Sequence, residues 1–369
     1  MTNENKEILL KLLERHTALG ISQQIDYEKF YLYSIITHST AIEGSTVTEI
    51  EAQLLFDEGI TSSQRTMAEQ LMNLDLKAAY EYGMQWIKAH EDITVDWLIT
   101  LSSKVMAHTG SEYHAMGGGF SAAKGELRKL NVTAGLGGPS YLSYQKVPSC
   151  LAAFCDELNK RRKEVNPSDI AAIYDLSFWA HYELVTIHPW ADGNGRTSRL
   201  LMNLLQWEYN VLPTKVLKGD KAVYIKALTD TREQKKLDIF LNCMARLHIQ
   251  HLTNDINLYI NSVGDDLPSM QMGNDKNNRK KVIEFDQKSN RAEQKSNRVR
   301  LTAKQKKVLE FCNKTPHTAQ EILEMIGVKY QTRTVHQYIT KLVIAEVLRP
   351  TTANKNAPNR KYITAHGKD

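Results

Sequence analysis

Hydrophobic positions recur at helical spacing through most of the first 260 residues. Ile8, Leu9, Leu12 and Leu13 mark a short amphipathic helix over Glu4–Arg15. A second helix is predicted over Tyr27–Glu43, ended by Gly44, which turns a chain out of a helix without a Cβ clash. Thr46-Val47-Thr48-Glu49 reads as a capping box opening a third helix that runs to about Glu58, before Gly59. Two longer helical patterns follow, near Ser62–His90 and Thr94–Met106. Periodicity then lapses in Ser111–Lys146, which is rich in Gly, Ser and Tyr; only Leu130–Ala134 reads as a short strand and the rest as loop.

Helical spacing resumes over Val147–Lys163. Asn166-Pro167-Ser168-Asp169 opens another helix, to about Thr186, that is apolar on most sides and so is expected at the centre of the core. Pro189 disfavours its continuation through His188. Further helices are predicted over Arg196–Glu208, Ala222–Asp230 and Lys236–Ile260. From Ser262 the apolar pattern fades into a polar stretch in which Gln287-Lys288-Ser289-Asn290-Arg291 recurs at Gln294–Arg298; without apolar positions the repeat reads as a solvated linker, not a coiled coil. Order returns with helices over Ala303–Asn313, Thr318–Ile326 and Thr332–Val347, then a polar stretch and Lys361-Tyr362-Ile363-Thr364. The expected divisions are an N-terminal helical region (1–110), a core (111–261), a linker (262–300) and a small C-terminal domain (301–369).

Charge sharpens this division. The net charge is only +5, but residues 276–369 hold 21 Lys and Arg against 8 Asp and Glu, net +13, which leaves −8 on the rest. A basic C-terminal third suggests a polyanionic partner for that third. No apolar run is long enough to span a bilayer, the N-terminus lacks a signal-peptide plan, and four cysteines without metal-ligand spacing fit a reduced protein. A cytoplasmic protein with no membrane partner is expected.

The chemistry concentrates in His188-Pro189-Trp190-Ala191-Asp192-Gly193-Asn194-Gly195-Arg196-Thr197-Ser198-Arg199. Gly193-Asn194-Gly195 can turn successive N–H groups inward as an anion-binding nest, and the following helix aims its positive end at the same place. Arg196 and Arg199 share a face of its first turn. Two guanidiniums, a nest and a helix start suit a polyphosphate better than a single carboxylate. Asp192 can then hold Mg²⁺ on the phosphates, and His188 is the group able to take a proton near neutral pH.

This run resembles the signature of the Fic family, H-P-F-x-[D/E]-G-N-G-R-x-x-R, with Trp190 in place of Phe. The resemblance spans roughly Tyr27–Leu252 and implies an all-α, Fic-type helical bundle with a small β-hairpin flap. It also implies transfer of AMP from ATP, with Mg²⁺, to a Ser, Thr or Tyr hydroxyl of a target protein, the protein itself included. His188 would be the base, Asp192 the metal ligand, and Gly193, Asn194, Gly195, Arg196 and Arg199 the phosphate ligands. Gly125-Glu126-Leu127-Arg128 and Val132-Thr133-Ala134-Gly135 look like the flap over the nucleotide, which brings in Gly135 and Leu136; Tyr224 stands where relatives place an aromatic beside the adenine. Ser39-Thr40-Ala41-Ile42-Glu43-Gly44 resembles the family's inhibitory motif, [S/T]-x-x-x-E-[G/N], so that Ser39 and Glu43 would restrain Arg199.

The C-terminal segment resembles a winged helix-turn-helix. Arg333, Gln337 and Lys341 would then face a DNA groove, with Lys355, Arg360 and Lys361 on the wing; a protein-binding or dimerising winged helix is the alternative, and a homodimer stays open. Two other functions fit the same residues: an ATP-sensing, DNA-binding transcriptional regulator, and a hydrolase that removes AMP from a modified target.

Overall fold

The computed structural model describes residues 1–134, 140–263, 303–313, 315–329, 338–339, 342, 348–351 and 361–364. Gly135, Leu136, most of the expected linker, most of the expected helix over 332–347, and Arg333, Gln337, Lys341, Lys355 and Arg360 lie outside them. The chain divides into two compact units, Met1–Pro268 and Ser269–Asp369. The expected segments 1–110 and 111–261 thus both lie in the first unit.

That unit is built from ten α-helices among its described residues: α1 Asn3–Ala18, α2 Tyr27–Ile42, α3 Glu49–Glu58, α4 Met67–Lys88, α5 Val95–Val105, α6 Val147–Glu164, α7 Ile170–Ile187, α8 Asn194–Glu208, α9 Lys221–Gln234 and α10 Leu237–Val263. Two of them, α7 and α8, serve both halves of the core. Ala180 and Leu184 of α7 and Leu200, Leu201, Leu204 and Leu205 of α8 are buried against Leu76 and Tyr80 of α4 and Leu98 and Leu101 of α5. Their other sides, Ile173, Tyr174, Phe178 and Met202, pack with Ile42, Phe240 and Met244. A helix covered all round needs no polar stripe, which is why α7 reads as apolar on most sides. Gly83 lets α4 approach α8 closely: a Cβ there would lie 2.4 Å from Leu204 Cδ1.

Helix ends follow the local chemistry. The capping box of α3 is formed by Thr48 and Glu51, with the Thr48 side chain accepting the Glu51 N–H, rather than by Thr46. Thr46 instead gives its N–H and hydroxyl to Glu69 at the start of α4, tying the α2–α3 turn to that helix. A second box, Thr66 and Glu69, opens α4.

The glycine-rich stretch departs from expectation. The hairpin lies earlier, β1 Glu112–Ala115 against β2 Gly118–Ser121, antiparallel, with Tyr113 stacked on Phe120. Leu130–Ala134 forms no strand; it makes one bridge, Thr133 to Ser140, and a hydrogen bond from Tyr141 N–H to Val132 O. Arg128 links the two sides of this segment, its guanidinium donating to the Leu130 and Leu142 carbonyls.

The second unit contains α11 Ala303–Phe311, β3 His317–Thr318, α12 Ala319–Met325, β4 Leu348–Pro350 and β5 Lys361–Thr364. Its sheet is antiparallel in the order β3-β5-β4, over a core of Val308, Cys312, Ile322, Leu323, Ile339, Leu342 and Leu348. Lys361 is exposed at the start of β5. No helix among the described residues is long and apolar enough to cross a membrane.

Candidate active site

The site forms where α7 ends and α8 begins. His188 caps α7 in the left-handed region, φ 53°, with its N–H on Leu184 O. That conformation is costly for a residue with a Cβ, and it throws the imidazole out of the helix. Nδ1 meets Val185 O at 3.3 Å. Burial lowers the His188 pKa to about 4; the Val185 carbonyl opposes this, Arg128 and Arg232 add to it, and Asp192 opposes it weakly. The imidazole is therefore neutral at physiological pH.

The loop to α8 is stapled from inside. Trp190 is fully buried, its indole N–H on Gly125 O at 2.9 Å. Asn194 accepts the Trp190 N–H and donates to the Trp190 carbonyl. The Asn194 side chain is thus engaged within the loop. Gly193, φ 80°, caps α8, and a Cβ on it would strike Met106 Sδ at 2.8 Å.

The two arginines diverge around Gly195. Arg196 is 2% exposed; its Nη2 touches Met106 Sδ and lies 3.6 Å from Asp192 Oδ1. Its Nε and Nη1 are buried with no partner among the described residues. Burial lowers its pKa, against the pull of Asp192 and Glu43. A buried guanidinium with two N–H-bearing nitrogens unmatched is an incomplete anion site.

Arg199 is the opposite case, with every nitrogen matched. Nε donates to Ser39 Oγ at 2.9 Å, Nη2 to Ser39 O at 3.0 Å and to Glu43 Oε1 at 2.6 Å, and Nη1 to Tyr224 Oη at 3.4 Å. Burial alone would lower its pKa, but Glu43 and Tyr224 outweigh it and raise the value. Burial likewise pushes Glu43 up, and Arg199, helped by Arg196 and Lys221, brings it below the usual carboxylate range. The Glu43 carboxylate stands directly over the start of α8: a Cβ on Gly195 would lie 2.6 Å from Oε1.

Tyr224 is 1% exposed and packs beside Phe240. Its hydroxyl bridges Arg199 and His181 Nε2, so it supports Arg199 from below and presents no open ring face. Asp192 is the reverse: its side chain is 58% exposed, with Oδ1 taking the Gly193 N–H. Such a carboxylate suits Mg²⁺, which takes one or two protein oxygens and completes its shell with water and phosphate. No group of three or more His, Cys, Asp or Glu among the described residues could hold a metal unaided.

Several residues of the site carry no sequence mark of the contacts they make. Arg128, 1% exposed, donates to His188 O as well as to the Leu130 and Leu142 carbonyls, joining the segment after it to His188. Asn73 accepts the Thr40 hydroxyl and reaches Ser45, fastening the end of α2 to α4. Tyr141 stacks on His188, and His181 lies under Tyr224, its pKa lowered to about 3 by burial and Arg199. Each is an ordinary residue type in an unremarkable context, brought in by the fold.

The Fic/DOC family model matches residues 92–206. A protein adenylyltransferase, fic-1 of Caenorhabditis elegans, is 27% identical over 219 residues, covering 58% of this chain and 39% of the relative. Protein adenylyltransferase Fic of Drosophila melanogaster is 27% identical over 250 residues, covering 61% and 45%. The matches thus span less than half the length of these relatives. The fold is also that of a Fic-domain-containing signaling protein from Bacteroides thetaiotaomicron, with a TM-score of 0.56 at 20% identity over 69% of this chain and 98% of that one. Residues 92–206, which include the signature loop, thus match a Fic/DOC domain.

Proposed function

We propose that the chain is a protein adenylyltransferase that moves AMP from ATP to a hydroxyl of a target protein and is restrained by Glu43. The observation that carries the reading is the pair of unmatched Arg196 nitrogens at the start of α8, beside a nest and 3.6 Å from Asp192. Only an anion of high charge returns the cost of burying them.

In this reading the target oxygen forms a bond to the α-phosphorus, the bond from that phosphorus to the α–β bridging oxygen breaks, and pyrophosphate leaves with the electron pair. His188 takes the hydroxyl proton on Nε2, since Nδ1–H is directed at Val185 O. The free N–H groups at the α8 start and Arg196 hold the phosphates. Asp192 would hold Mg²⁺, which supplies charge neutralisation on the phosphates. Arg199 would hold the γ-phosphate once Glu43 has left it. The segment after Arg128 would align the target as an added strand.

For the second unit we propose the winged-helix reading, with a polyanion as partner; its support is the +13 charge of residues 276–369 and a three-stranded antiparallel sheet against two helices. The deciding experiment for the first unit is incubation of purified protein with α-labelled ATP, Mg²⁺ and lysate. Label on protein supports transfer, loss of pre-bound label supports removal, and neither outcome leaves an ATP-sensing regulator.

A further inference from the structure

His188 is held at its backbone by its left-handed φ and by Arg128 on its carbonyl, at 2.7 Å. Its ring is held less firmly there. The hydrogen bond from Nδ1 to Val185 O, at 3.3 Å, is at the long end for an N–H···O bond and holds one edge of the ring without fixing its plane. The missing restraint is on the ring face. Tyr141 lies parallel to the imidazole, 3.8 Å between centroids and 20° between planes. The guanidinium of Arg232, in the last turn of α9, lies 4.4 Å from the Tyr141 centroid. An imidazole at 3.8 Å fills one face of the phenol ring, so Arg232 takes the other. Arg232 enters no salt bridge among the described residues; its place is on this ring.

The stack is anchored at both ends. Tyr141 N–H is bonded to Val132 O at 3.0 Å, and the neighbouring Leu142 carbonyl accepts from the same Arg128 that holds His188 O. We propose that Tyr141 is a positioning residue for His188: its ring, backed by Arg232, fixes the imidazole plane and so the direction of Nε2. Stacking suits that task, because it covers a face while the nitrogen lone pair lies in the ring plane. The proton-accepting edge stays open to a target hydroxyl.

The kinetic part rests on the adenylyltransferase reading, and the test separates the two. In a Glu43→Gly parent, Tyr141→Ala should lower kcat by about tenfold to a hundredfold, the range in which misorientation of a reacting group falls. The KM for ATP should stay within about twofold, since no ground-state contact is removed. Tyr141→Phe should keep the parental kcat, because the ring remains, and Arg232→Met should fall between. Calorimetric ATP binding by each variant verifies the fold. A parental kcat in Tyr141→Ala, or an equal loss in Tyr141→Phe, overturns the proposal. A second readout needs no turnover: nitrogen-15 spectra of His188 should show one tautomer in the parent and in Tyr141→Phe, and averaging in Tyr141→Ala. An unchanged spectrum in Tyr141→Ala overturns the proposal as well. If the parent transfers no AMP, the adenylyltransferase reading fails and the tautomer spectra alone decide the role of Tyr141.

Discussion

Replacing Glu43 by Gly should raise AMP transfer, and the structure sets the scale. Glu43 and Ser39 occupy Nε and Nη2 of Arg199, which leaves an incoming γ-phosphate only Nη1, itself on Tyr224 Oη at 3.4 Å. Two unit charges at contact distance attract by about 4 kcal/mol at the effective dielectric of a protein surface. The Glu43 side chain is 34% exposed, so solvent screening reduces the net bond to about 1–2 kcal/mol. Loss of that bond and of the carboxylate's repulsion of phosphate should raise transfer at least about tenfold, since about 1.4 kcal/mol is a factor of ten. The folded Glu43 pKa is depressed, so its contribution is present above the unfolded carboxyl pKa and is lost only as pH falls through the lowered value. Assays near pH 7 therefore compare the full effect. Glu43→Gln should activate less, because the amide keeps an acceptor oxygen. Arg199→Ala breaks the same pair but removes the phosphate ligand, and should not activate. Labelled AMP incorporation across these variants is the measurement. Equal rates in Glu43→Gly and wild type would sink the inhibitory role of α2.

Other expectations follow from the same contacts. His188→Ala should cut transfer by about 10²–10⁴-fold while calorimetric ATP binding persists; retained transfer removes His188 from the chemistry. With a His188 pKa of about 4 in the free protein, a base that must be neutral stays so down to low pH. The acid limb of kcat/KM should therefore lie near pH 4, and a midpoint near 6.5 would refute the buried-base geometry. Arg128→Met leaves the His188, Leu130 and Leu142 carbonyls without their donor and should destabilise the first unit by about 2–4 kcal/mol, read as a lowered melting temperature; an unchanged melting temperature would refute the hub role of Arg128. Removal of residues 269–369, the second unit, should leave ATP affinity of the first unit unchanged; the isolated second unit should bind duplex DNA with strong salt dependence, and absence of binding refutes the DNA reading.

Most of the helical frame is legible because each helix repeats its apolar positions over three or more turns, and caps such as Asp169 and Gly44 mark the ends. The hairpin at Glu112–Ser121 is not, since its periodic signal is one stacked pair, Tyr113 and Phe120, inside a glycine-rich run. His317–Thr318 is a two-residue strand, too short for any period, and exists because β5 lies beside it.

The site divides along a different line. His188, Gly193, Arg196 and Arg199 lie together because one loop and one helix start hold them, so sequence distance stands for spatial distance. Asn194 and Tyr224 show where that equivalence fails. An Asn between two glycines suits a phosphate ligand and a loop staple equally well, and only the two bonds to Trp190 decide for the staple. A Tyr in α9 suits an adenine neighbour and a core residue equally well, and its bond to His181 beneath Arg199 decides for the core. Arg128, Tyr141 and Asn73 act across gaps of tens of residues, on partners whose identity no local pattern encodes. Long-range contacts of this kind set how firmly His188 and Arg199 are held. The candidate site therefore combines a dozen consecutive residues with the packing of segments far from them.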